Sequence, residues 1–80
     1  MKATLESTDK LVTIQIGGTD VPARIWQGVT EAGVEFHIYV TRVAVQDGLD
    51  STKYAQFEME LKETSNMRPE IAAIPLRLIL

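Results

Sequence analysis

Eighty residues, 45% hydrophobic and 24% charged, with a net charge of −3 and no cysteine, have the balance of one ordinary globular domain. The missing cysteines exclude a disulfide framework, a thiolate metal site and a cysteine nucleophile. Eleven acidic against eight basic side chains oppose non-specific attraction to phosphate backbones and to anionic lipid, both of which need a basic face.

The segment Met1 to Lys10 has no apolar core and carries Glu6 and Asp9, unlike a signal peptide. Polar and aperiodic, residues 1–9 are expected to form a loose tail ahead of a single globular domain over 10–80. The longest apolar stretch, Ile71 to Leu80, is too short to span a bilayer and is interrupted by Pro75 and Arg77. A soluble, cytoplasmic protein without membrane attachment is the expectation.

From Leu11 to Ile16, Val12, Ile14 and Ile16 alternate with Thr13 and Gln15, the pattern of a half-buried strand. Gly17-Gly18-Thr19-Asp20 is a turn cluster whose glycines can take positive φ. Val21 to Val29 reads as a second strand, with Pro22 confined to its start or to an unpaired side because it lacks an N–H. After the turn Thr30-Glu31-Ala32-Gly33, Val34 to Val45 reads as a third and longest strand, rich in Val, Ile, Phe and Tyr.

The turn chemistry sets the register of the second hairpin. Thr-Glu-Ala-Gly suits a type I turn followed by Gly33 in the left-handed region, a three-residue loop with a bulge. Gly28 then pairs with Phe36, Trp26 with Ile38 and Arg24 with Val40. One face carries Trp26, Phe36, Ile38 and Val40, and the other carries Ile25, Gln27, His37, Tyr39 and Thr41. A phenylalanine over a cross-strand glycine is a favourable device. A two- or four-residue loop would swap the faces.

Residues 51–64 fit two templates. Ala55, Phe57, Met59 and Leu61 alternate as a strand would, while Tyr54, Phe57 and Leu61 share a helical face. The stretch Lys53 to Glu63 has no β-branched residue and is built of good helix formers. A helix over 51–63 is therefore predicted, capped by Asp50 or Ser51 and stopped near Asn66 and Pro69. Leu76, Leu78 and Leu80 suggest a last strand over 76–80. The expected fold is α+β: a small antiparallel sheet, a three-stranded meander plus a C-terminal strand, with one helix on its Trp26/Phe36/Ile38/Val40 face. If 53–62 is extended, the alternative is a small all-β barrel or sandwich. Trp26 is expected in the core, as the largest single burial; on the surface it would be a binding hot spot.

Few residues suggest chemistry. His37 is the only histidine; on a strand it shares a face with Glu35, but it lacks the further ligands a zinc site needs. Ser7, Ser51 and Ser65 stand in no nucleophile motif, and Gly17-Gly18 lacks the residues of a phosphate loop. Glu58, Glu60 and Glu63 belong to a solvated face. No catalytic residue, metal ligand or cofactor is assigned, and the chain is not expected to be an enzyme. Arg24, Gln27, His37, Tyr39 and Arg42 form the candidate binding surface. Three functions follow: a protein-binding or regulatory module acting by contact, with self-association as a homodimer through the C-terminal strand or the outer edge of the 34–45 strand; a weak nucleic-acid binder using Arg24, Tyr39 and Arg42; and a small-ligand or enzymatic role around Glu35 and His37. A protein partner or a second copy is the expected partner, and nucleic acid is not.

Overall fold

A computed structural model describes residues 1–74. Three antiparallel strands, β1 (Ala3–Ile16), β2 (Thr19–Thr30) and β3 (Glu35–Val40), form a sheet in the order β1-β2-β3. Two helices follow, α1 (Ser51–Lys62) and the single turn α2 (Pro69–Ala72). This is the α+β class expected, with α1 within a residue of its predicted span. The last strand expected over 76–80 lies outside the described residues.

Both hairpins follow from their turn residues. Gly17 and Gly18 take φ of +59° and +80°, and Ile16 pairs with Thr19, as a two-residue turn with two positive φ values requires. In the second hairpin Gly33 has φ of +85°. Its N–H donates to Thr30 O at 3.0 Å, while Thr30 N donates to Val34 O at 2.9 Å. The bulged register holds: Gly28 faces Phe36, Trp26 faces Ile38 and Arg24 faces Val40.

Residues 1–9 are not a loose tail. From Ala3 onward they are the first half of β1, pairing Ala3 with Thr30, Leu5 with Gly28 and Ser7 with Trp26. Alternation fails there because the ladder shifts between Ser7 and Leu11, a bulge that places three residues opposite one. Polar side chains hold the bulge. The fully buried Thr8 donates Oγ1–H to Ile25 O at 2.6 Å and accepts from Lys10 N at 3.2 Å. Arg24 Nη1 donates to Thr8 O at 2.8 Å. Backbone and hydroxyl bonding here does what apolar periodicity does elsewhere.

The third strand is shorter than expected, ending at Val40 rather than Val45. Residues 41–46 are irregular and exposed; continuing the ladder would set Arg42 opposite Pro22, which has no N–H to donate to it.

The connection after β3 reaches both sides of the sheet, but the helix expected on the Trp26/Phe36/Ile38/Val40 face does not cover it: α1 buries no residue. Asp50 caps α1, accepting from Lys53 N at 2.9 Å. The far end of α1 stands against the Leu5/Ser7/Trp26 end of one face, where Ser7 Oγ donates to Glu63 O at 2.8 Å. The chain then rounds the outer edge of β1: Ser65 N donates to Ser7 O at 2.9 Å and Asp9 N to Ser65 O at 3.1 Å, a parallel bridge. On the opposite face α2 packs against β3. The deepest burial lies on that second face, with Ala23, Ile25, Gln27 and Ile71. Trp26, Phe36 and Val40, expected in the core, are half-buried, and Ile38 is exposed. The register was right and the better-covered face was the other one, because Ile71 and the segment before it, not α1, bring the closest packing.

Candidate functional site

The expected binding surface does not exist as one surface. Arg24 points to the Trp26 face across from Val40, whereas Gln27, His37 and Tyr39 lie on the opposite face, since successive side chains of a strand alternate. Arg24 is engaged by Thr8 O. Arg42 follows the end of β3 in the exposed segment. Gln27, far from being a contact residue, is 1% exposed.

Gln27 is the centre of a polar clamp. Its Nε2 donates to Glu6 Oε1 at 2.6 Å and to Asn66 O at 3.3 Å, and its Oε1 accepts from Arg68 N at 3.0 Å. Glu6 Oε1 also accepts from Arg68 Nη1 at 3.0 Å, and its Oε2 from Ser65 Oγ at 3.2 Å. Arg68 Nε stands 3.4 Å from Glu35 Oε1. An amide side chain, with two donors and an acceptor, can bond a carboxylate and two backbone groups at once. The clamp therefore binds residues 65–68 to the sheet and directs Ile71 into the core. Both ion pairs are substantially solvated, so the buried amide supplies most of the specificity. Glu6 and Arg68 were not among the residues weighed for chemistry from the sequence, and Ser65 was weighed only as a nucleophile. They belong to segments with no periodic signal, and only the fold brings them together.

His37 is half-buried, with its ring tilted 32° to that of Tyr39 at a centroid distance of 5.4 Å. Both ring nitrogens are shielded from solvent and lack a hydrogen-bond partner among the described residues. Glu35, on the same face, is turned to Arg68. Nothing here orients the imidazole as a base, which requires a partner on one nitrogen and a reachable proton at the other. Among the described residues no group of three or more His, Asp or Glu side chains could hold a metal ion, and no helix is long and apolar enough to cross a membrane.

What the described residues present is an apolar sheet face ending in an edge, that of β3, on which none of them forms a further strand. Leu5, Leu11 and Ile38 are exposed on the Trp26 face, Leu11 to 63%, and Phe36 and Val40 are only half-covered. Val34, just before β3, and Val43 and Val45, after it, are also exposed. Among the described residues β3 pairs with β2 alone.

Comparison with known proteins finds no family model, no curated protein and no solved structure that matches this chain.

Proposed function

We propose that this chain is a small, non-catalytic binding module that acts by contact through its sheet, with a second copy of itself as the leading partner. The observation that carries this is the amount of surface left open. The chain exposes 6529 Å². Even after deducting the most that residues 75–80 could contribute as unfolded chain, about 1,000 Å², the remainder exceeds by about 1,000 Å² what a folded 74-residue chain leaves in water. A standard interface buries about 800 Å² on each partner, so the surplus is of the size one contact removes. Much of it is apolar and lies on the Trp26 face and around β3, where burial favours association.

Nucleic-acid binding through Arg24, Tyr39 and Arg42 ranks below this. Arg24 and Tyr39 point to opposite faces, and the net charge of −3 repels a phosphate backbone.

Sedimentation equilibrium at tens of micromolar, alongside capture from an extract of the native host, tests the proposal. Wild type is compared with a Leu11→Asp/Ile38→Asp variant. Self-association, or a host protein retained by wild type and released by the variant, is expected. A single 8.9 kDa species that retains nothing the variant does not also retain would defeat it.

A further inference from the structure

We infer that the contact is an antiparallel pairing of β3 with β3 of a second copy across a two-fold axis near His37, joining two three-stranded sheets into one of six strands. The pairing rests on the contact function proposed above and names its surface and its occupant.

The two edges of the sheet are treated differently. The outer edge of β1 is occupied and bent: Ser7 and Asp9 are bonded to Ser65, and the bulge follows between Ser7 and Leu11. Charged Asp9 and Lys10 stand there too. These are the devices that keep an edge from pairing with another chain. Among the described residues the other edge has none of them. Over Glu35–Val40 there is no lysine, no proline and no bulge, and the single carboxylate stands at the strand's first residue.

Which groups that edge offers follows from the hairpin. Thr30 N donates to Val34 O, so Thr30 and Val34 are a hydrogen-bonded pair. Alternation along the ladder makes Gly28/Phe36, Trp26/Ile38 and Arg24/Val40 hydrogen-bonded pairs as well. Phe36, Ile38 and Val40 thus spend their backbone groups on β2. Glu35, His37 and Tyr39 turn theirs outward, a row of donors and acceptors matching a second strand.

The row is self-complementary. With the axis at His37, Glu35 of each copy faces Tyr39 of the other. On the apolar face Phe36 meets the other copy's Ile38, an aromatic–β-branched pair of the favourable kind, and Val34 meets Val40. The exposed Ile38 and Val34 are covered at the same step. An isologous pairing of this sort closes on itself, which is why two-fold dimers dominate among oligomers. A heterologous peptide would satisfy the backbone row equally well, but it would not need the same apolar sequence on both sides.

The test is amide hydrogen exchange of the wild-type chain at low and at tens-of-micromolar concentration, with sedimentation equilibrium under the same conditions. The amides of Glu35, His37 and Tyr39 are expected to slow by an order of magnitude or more as dimer forms, because opening then requires dissociation. Tyr39→Pro removes an outward N–H that β2 does not use, the one setting in which a strand tolerates proline; it is expected to remain folded by circular dichroism and to sediment as monomer. Ile38→Lys, which adds an edge charge, serves as a second variant and is expected to do the same. A dimer whose Glu35, His37 and Tyr39 amides exchange freely overturns the β3 pairing and leaves the contact function standing on another surface. Protection of those amides in a species that stays monomeric shows an intrachain strand on the edge and also overturns it. A monomer with free amides and no captured protein removes both.

Discussion

Phe36 lies against Gly28 so closely that a Cβ on Gly28 would stand 2.7 Å from Phe36 Cζ, and 2.6 Å from Leu5 Cδ2 on the other side. The glycine has an ordinary strand conformation, so its role is space rather than backbone freedom. It lets side chains of β1 and β3 close over β2 from both directions.

Gly28→Ala is therefore expected to destabilise the sheet. The new methyl must displace Phe36 and Leu5, and overpacking of this kind costs about 1–3 kcal/mol, against a gain in strand propensity of under about 1 kcal/mol. Urea unfolding followed by circular dichroism measures the net effect. An unchanged or raised midpoint would mean that both side chains move aside freely and that their closure over Gly28 contributes little.

Gln27→Ala should loosen the clamp. It leaves Arg68 N and Asn66 O without their present partner, and an unsatisfied buried group costs about 1–3 kcal/mol. The expected local signature is faster exchange of the Arg68 amide with little change at Gly33, whose bond to Thr30 is independent of the clamp. Uniform acceleration across the whole sheet would instead show that residues 65–68 and the strands unfold as one unit.

Ile71 has no exposed surface, and Ile71→Ala is expected to cost about 2–5 kcal/mol. That is a large share of what so short a chain can hold, since stability per residue is only about 0.05–0.15 kcal/mol. Thermal unfolding of the variant should show a broad or strongly lowered transition. A shift of only a degree or two would place the main core elsewhere, on the Trp26 face.

Trp26 is half-buried, and its fluorescence reports which face is open. Emission between the buried and free limits, with partial quenching by iodide, is expected in dilute solution. Emission as blue as a fully enclosed indole, with no iodide access, would show that the Trp26 face is covered in solution and would remove the apolar surface from the proposed function.

Asp50 is bonded to Lys53 N at the start of α1. Asp50→Ala is expected to cost about 0.5–2 kcal/mol and to reduce helical ellipticity. Because α1 carries no buried residue, the loss should appear as fraying of the helix while the sheet midpoint changes little.

Local chemistry was legible in the sequence. The Gly17-Gly18 and Gly33 turns, the bulged register that follows from Gly33, and the α1 span with its Asp50 cap each depend on residues within a few positions of one another. Steric and hydrogen-bonding preferences of single residues are enough for these. The half of β1 before the bulge was not legible. Its partner, the Trp26–Thr30 half of β2, lies some twenty residues away, and Thr8 and Arg24 stabilise it through backbone oxygens instead of through an apolar stripe. Nor could the sequence choose which sheet face would be buried most deeply. Alternation assigns side chains to two sides of a strand but carries no information on which side the later chain will cover. That was decided by the path of residues 63–71 around the β1 edge, held by Glu6, Gln27 and Arg68 across separations of about forty to sixty positions. Individual long-range polar contacts leave no periodic trace, so only the tertiary structure could show that Gln27 is an internal clamp, that Arg24 and Tyr39 look in opposite directions, and that among the described residues β3 is the edge strand with no second neighbour.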